Sequence, residues 1–292
     1  MTIQTIAVIG AGSMGHQIAM LCALGGYATK LQDIHEHALT KAKATLEDIM
    51  NKWVNKGKIT EEKKEAAFSR LSFTTSLEEA VKEADFVIEA VVEKLDVKRE
   101  VFAQLDRFAP AHAILATNSS TIVNSLIADV TNRTDKVINM HFFFPPLVMD
   151  CIEVVMSEQT SDETAHITMD VCKQINRTGV LLRREISGFV ANRILGALQR
   201  EAVALYEKGI ADFKDIDLIC KKALNHPIGP FELMDLSGID VVYYVMQQRY
   251  AETGDPEDRP FACIEEKVKQ GHLGRKTGRG WYVYEKQPLN RS

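Results

Sequence analysis

The sequence predicts a doubly wound α/β domain followed by an all-α domain. Three observations carry that reading. Short apolar runs alternate with helical patterns through about the first 185 residues. The first of those runs ends abruptly in closely spaced glycines, and a helix pattern starts at once. From Phe189 onward the apolar residues recur at helical spacing almost throughout. The chain has 292 residues, 46% hydrophobic and 26% charged, which is globular and long enough for one large or two medium domains. A net charge of −5 argues against a general nucleic-acid binder.

Taken in order, strands are expected at 6–9, 28–32, 86–90, 114–116, 137–140, 152–155 and 180–182. The first leads into Gly10-Ala-Gly-Ser-Met-Gly15. Gly10 permits a tight strand-to-helix turn, Gly12 lets the backbone approach a pyrophosphate, and Gly15 lets the helix pack closely. Free N–H groups at the helix start, over Ser13 and Met14, then hold phosphate. Asp33 ends the second run, eighteen residues after Gly15, where it would accept from ribose hydroxyls. Strand, glycines, helix, strand and acid fall in the order of a Rossmann-type dinucleotide site. The acid, with no Arg after it, favours NAD over NADP because it repels a 2′-phosphate. Residues 41–70 read as a charged helical insert, too long for a crossover. It is expected to be a hairpin reversing near Gly57 and projecting from the sheet. After Arg183–Gly188 the character changes, so the domains are placed at 1–186 and 187–292. The second should hold helices over 192–209, 215–224 and 239–253, broken at His226–Pro230.

His141 ends an apolar strand, and ligands of open α/β sheets bind at the carboxyl ends of strands. Glu153 sits inside Cys-Ile-Glu-Val-Val, where a carboxylate needs a partner. The two fit a base and its orienting acid, or equally a satisfied core histidine and a structural ion pair. Thr117–Thr121 follows another strand, so its hydroxyls either hold a substrate oxygen or cap the next helix. Asn192 is open to the same two readings. Lys52 and Lys56 share one helix face, as a phosphate dock or a solvated charged surface. His35 and His37 lack a third ligand, so no metal site is expected. The five cysteines have no paired spacing, which suits reduced thiols in a cytoplasmic setting. No leader peptide and no apolar run of membrane-spanning length is read from the sequence.

Together these residues resemble the L-3-hydroxyacyl-CoA dehydrogenase family in its short bacterial 3-hydroxybutyryl-CoA form. The resemblance covers essentially the whole chain. It runs through Gly10–Gly15, Ile88–Glu93 with Lys98, Asn118–Thr121, His141-Phe-Phe, Met149–Glu153, Gly188–Arg193, Asn225–Pro230 and Leu273–Gly280. It implies His141 as catalytic base, with Glu153 as its partner. It implies Ser120 and Asn192 as substrate-orienting groups, Ser120 also lying near the nicotinamide. Glu93 and Lys98 would line the NAD site, and Lys52 and Lys56 would meet the phosphates of an acyl-CoA substrate. It also implies a homodimer formed through the helical domain. Two departures stand out. The family reads His-Phe-Phe-Asn-Pro where this chain has Phe144, and a common Lys is here Asp150. These keep open an NAD-linked dehydrogenase of a smaller, non-CoA hydroxy acid, of gulonate or carnitine type. A protein that binds NAD without turnover is the third reading.

Overall fold

The computed structural model describes residues 2–284. The chain divides into two units, Met1–Phe189 and Val190–Ser292. The first is built, in chain order, from β1 (Thr5–Ile9), α1 (Gly15–Leu24), β2 (Ala28–Gln32), α2 (Glu36–Asn55), α3 (Glu61–Arg70) and β3 (Leu71–Thr74). It continues with α4 (Leu77–Val81), β4 (Phe86–Glu89), α5 (Leu95–Phe108), β5 (Ile114–Thr117), α6 (Ser125–Ala128), β6 (Val137–Phe142), β7 (Cys151–Val155), α7 (Asp162–Gln174) and β8 (Thr178–Leu182).

The strands form one sheet in the order β3-β2-β1-β4-β5-β6-β7-β8. Every pairing is parallel except β6 with β7. Alternation along β1 shows both faces covered. Ile6 and Val8 join one apolar cluster, with Ile18 of α1 and Val171 of α7. Ala7 and Ile9 join the other, with Phe102 and Leu105 of α5. Side chains alternate across a strand, so this is the signature of a sheet wound on both sides.

One strand was not expected. β3 is a short edge strand, and its Leu-Ser-Phe-Thr has too little apolar character to stand out. The long charged segment is a helical pair, α2 and α3, with Gly57 at φ +64 where the chain reverses. It does not stand clear of the sheet. Leu39, Ala42, Leu46 and Met50 form a stripe on α2 that is buried in the same cluster as Leu31 of β2. An apolar stripe of that width must be covered, and α1, α3 and β3 pack against α2.

The second unit contains α8 (Ala191–Glu207), α9 (Phe213–Ala223), α10 (Pro230–Ser237), α11 (Ile239–Thr253) and α12 (Ala262–Lys269). Its only departures from helix and loop, among the described residues, are 3-10 turns and isolated bridges at Gly274, Arg279 and Val283. Its core centres on Phe231 and Trp281, whose ring centroids are 4.5 Å apart. Asp217 is fully buried there, accepting from the N–H of Phe231 at 2.8 Å and of Glu232 at 3.0 Å, which starts α10. Burial pushes its carboxyl above the usual range. Among the described residues no helix is long and apolar enough to cross a membrane.

Candidate active site

The site residues of the first unit gather where β1, β4, β5 and β6 end. β1 delivers the chain to Gly10 at φ +98, a conformation that glycine tolerates. A Cβ on Gly10 would lie 2.7 Å from Ala90 O, and one on Gly15 would lie 1.8 Å from Gly10 O. These two glycines are therefore required by the protein's own packing. Gly15 clears the carbonyl of the turn rather than the strand as a whole. Gly12 differs, because a Cβ there would meet nothing within 4 Å. Gly12 and Ser13 are exposed and Met14 is half-buried. Their N–H groups donate to no other described residue. Bare N–H groups ahead of a helix, beside a glycine that the protein's packing does not demand, fit a dinucleotide pyrophosphate. Asp33 accepts from the N–H of Ala11 at 2.8 Å and of His35 at 2.9 Å. It thus ties the turn to β2. A carboxylate offers about four acceptor positions, so ribose hydroxyls still find room.

β6 delivers His141 and β7 delivers Glu153. Because β7 runs antiparallel to β6, the two residues are register partners directly across the ladder. His141 Nδ1 lies 2.9 Å from Glu153 Oε2, and both side chains are buried. The imidazole packs against two tilted rings, Phe143 at 4.7 Å and Phe189 at 5.5 Å between centroids. Phe189 is fully buried with φ +47, a conformation that a bulky residue rarely adopts.

A charged network lies at the ends of β4 and β5. Lys98 is buried, with its ammonium 2.8 Å from Glu89 Oε1 and 3.2 Å from Glu93 Oε2. Thr117 Oγ1 donates to Glu89 Oε2 at 2.6 Å. Glu93 Oε1 collects the Ser119 hydroxyl, the N–H groups of Ser120 and Thr121 at 3.2 Å each, and the Thr121 hydroxyl at 3.0 Å. Burial alone would raise the Glu93 carboxyl. Lys98 and the hydroxyl donors outweigh it and hold the group below its ordinary value.

Residues 5–186 match the family described as 3-hydroxyacyl-CoA dehydrogenase, NAD binding domain, and residues 188–284 match its C-terminal domain. The chain belongs to the 3-hydroxyacyl-CoA dehydrogenase family. Among its relatives is a 3-hydroxybutyryl-CoA dehydrogenase of Clostridioides difficile, 40% identical over 96% of this chain and 99% of that one. Among solved structures it is similar to (S)-3-hydroxybutyryl-CoA dehydrogenase of Ralstonia eutropha, with TM-score 0.92, 39% identity, and coverage of 98% and 100% of the two chains. It is also similar to a diketoreductase of dicarbonyl compounds, with TM-score 0.87, 34% identity, and coverage of 97% and 100%.

Within this dehydrogenase fold the expected residues fall into three groups. His141, Glu153, Ser120, Glu93 and Lys98 meet at the strand ends of the first unit, beside the Gly10–Gly15 turn. Lys98 is too buried to face a ligand, so it bears on the site by holding Glu89 and Glu93. The hydroxyl of Ser119, not that of Ser120, caps the following turn by accepting from Ile122 N–H at 2.9 Å. Lys52 and Lys56 are exposed at the end of α2, and Lys52 is paired with Asp48 at 2.6 Å. Asn192 is exposed in the first turn of α8 in the second unit.

Phe144 is 63% exposed, which is unusual for a phenyl ring and leaves it on the surface beside the Phe143 loop. Asp150 accepts from Thr178 Oγ1 at 2.7 Å, which joins the start of β7 to β8. Sequence reasoning assigned no role to Glu89, Asn118, Phe143 or Phe189. Glu89 carried a signal close to that of Glu153, an acid in an apolar run, although it ends β4 whereas Glu153 lies at the centre of β7. Asn118 accepts from Phe142 N–H at 3.0 Å, a contact that no local pattern encodes. Among the described residues no group of His, Cys, Asp or Glu could hold a metal ion.

Proposed function

We propose that His141 is the catalytic base of an NAD-linked dehydrogenase that interconverts short-chain L-3-hydroxyacyl-CoA and 3-ketoacyl-CoA. The observation that carries this is the buried 2.9 Å contact between His141 Nδ1 and Glu153 Oε2 at the carboxyl end of β6. With Nδ1–H donated to the carboxylate, Nε2 is the lone-pair nitrogen. It takes the 3-hydroxyl proton, and Glu153 keeps the ring in the correct tautomer and stabilises the imidazolium that forms. Phe143 and Phe189 keep the imidazole plane from turning. NAD, when bound at the Gly10–Gly15 turn, supplies the acceptor for the hydrogen and electron pair that leave C3. Ser120, whose N–H is fixed by Glu93, presents a hydroxyl to the reacting oxygen. Asn192 is assigned a similar orienting role on the family pattern alone.

Lys52 and Lys56 are proposed for the CoA phosphates, since both lie exposed one helical turn apart. A homodimer through the second unit is supported by its exposed apolar side chains, among them Ile210, Leu218, Ile219 and Leu224. The five cysteines are free thiols, which suits the cytoplasm.

A second reading, a smaller dicarbonyl or hydroxy acid without CoA, is favoured by exposed Phe144 where the family has Asn, and by the likeness to the diketoreductase. NADH oxidation with acetoacetyl-CoA beside acetoacetate decides between them. The thioester should be favoured in kcat/KM by about 10²-fold or more, because binding of its remote CoA part is used at the reacting centre. NADPH should replace NADH poorly, given Asp33. Equal turnover of free acetoacetate would move the assignment to the second reading.

A further inference from the structure

Gln17 lies in the first turn of α1, two residues beyond Gly15, and is buried. Its side chain joins segments 130 residues apart. Its Nε2 donates to Ser13 O at 3.2 Å, and its Oε1 accepts from Leu147 N–H at 3.4 Å. One residue earlier, His16 is also buried, with Nδ1 against Gly12 O at 2.5 Å.

The carbonyl of one residue and the N–H of the next belong to one rigid peptide plane and point in opposite directions. Pinning Gly12 O therefore turns Ser13 N–H outward, and pinning Ser13 O does the same for Met14 N–H. These are N–H groups that donate to no other described residue. The far arm of Gln17 reaches the loop that leaves β6 after His141. That loop is held at its start by Asn118, through Phe142 N–H, and Arg177 donates to Pro146 O and Leu147 O near its end. Between those anchors Phe143 packs on the His141 ring.

We propose that Gln17 is a positioning residue that aims the phosphate-binding N–H groups and couples them to the loop seating His141. This deepens the functional reading above and rests on its assignment of the turn and of His141. Two variants separate the two arms. Gln17→Glu keeps an acceptor for Leu147 N–H but has no donor for Ser13 O. Gln17→Met keeps the length and loses both bonds.

Three readouts serve: the Kd for NADH by fluorescence, kcat at saturating cofactor and substrate, and hydrogen exchange of the Leu147 amide in the cofactor-free protein. Loss of one hydrogen bond changes an equilibrium by about tenfold. Gln17→Glu should weaken NADH binding about that much, with kcat held within about twofold and Leu147 still protected. Gln17→Met should weaken NADH binding equally, lower kcat about tenfold and expose the Leu147 amide to exchange. An unchanged Kd in Gln17→Glu overturns the proposal, as does an equal loss of kcat in both variants. If Gln17→Met fails to fold, the Kd and Leu147 exchange of Gln17→Glu decide alone. Neither of those readouts involves a substrate, so they stand apart from any error in the assigned reaction.

Discussion

A carboxylate in the middle of an apolar strand is tolerated when it has a partner, and Glu153 has one in His141 across the antiparallel ladder. The same arrangement that satisfies Glu153 leaves the imidazole with one committed nitrogen and one free to act. Replacing His141 by Gln, or Glu153 by Gln, should lower kcat by about 10²- to 10⁴-fold, the usual contribution of a positioned base. NADH affinity should stay within about twofold, because neither residue belongs to the glycine turn. Steady-state kinetics beside fluorescence titration measures both quantities. Near-normal kcat in either variant would remove the dyad from the mechanism. His141 and Glu153 were legible because a polar group in an apolar run is conspicuous. Phe189 was not, since its ring reaches His141 through a left-handed backbone that no sequence pattern announces.

At the scale of elements, the turn between β1 and α1 separates two glycines that the protein's own packing demands, Gly10 and Gly15, from one that it does not, Gly12. A methyl on Gly12 meets open space, whereas one on Gly15 meets the Gly10 carbonyl. Gly12→Ala should therefore leave thermal stability almost unchanged, within about 0.5 kcal/mol, while weakening NADH binding about tenfold or more. Gly15→Ala should lower stability itself, by about 1–3 kcal/mol, through forced backbone movement. Thermal melts of the cofactor-free variants, followed by NADH titration, distinguish the two. A Gly12→Ala protein that binds NADH normally would mean that the pyrophosphate lies elsewhere. Sequence spacing located this turn and most of the strands, because period-two burial and glycine punctuation are local. It missed β3, an edge strand with little apolar signal. It also left α2 projecting, although the Leu39–Met50 stripe packs into the main core.

At the scale of the molecule, the two units hold different kinds of information. The first carries the glycine turn, the dyad and the Lys98 network. The second combines an aromatic core with surface residues such as Leu218 and Ile219, each more than half exposed. Sedimentation should give twice the mass of one chain, and Leu218→Lys with Ile219→Lys should shift the protein towards monomer. A monomeric parent would refute the homodimer. The sequence by itself determined the α/β-then-helical order, the dinucleotide turn and the family, because periodicity, glycine spacing and contiguous motifs are all written along the chain. Tertiary structure alone decided which groups share hydrogen bonds across long separations. It set Glu153 opposite His141, made Lys98 a buried support for Glu89 and Glu93, and joined Ser13 to Leu147 through Gln17. The physical reason is that a hydrogen bond depends on distances of about 3 Å. Only sheet register and loop packing bring residues so far apart in the chain to within that range.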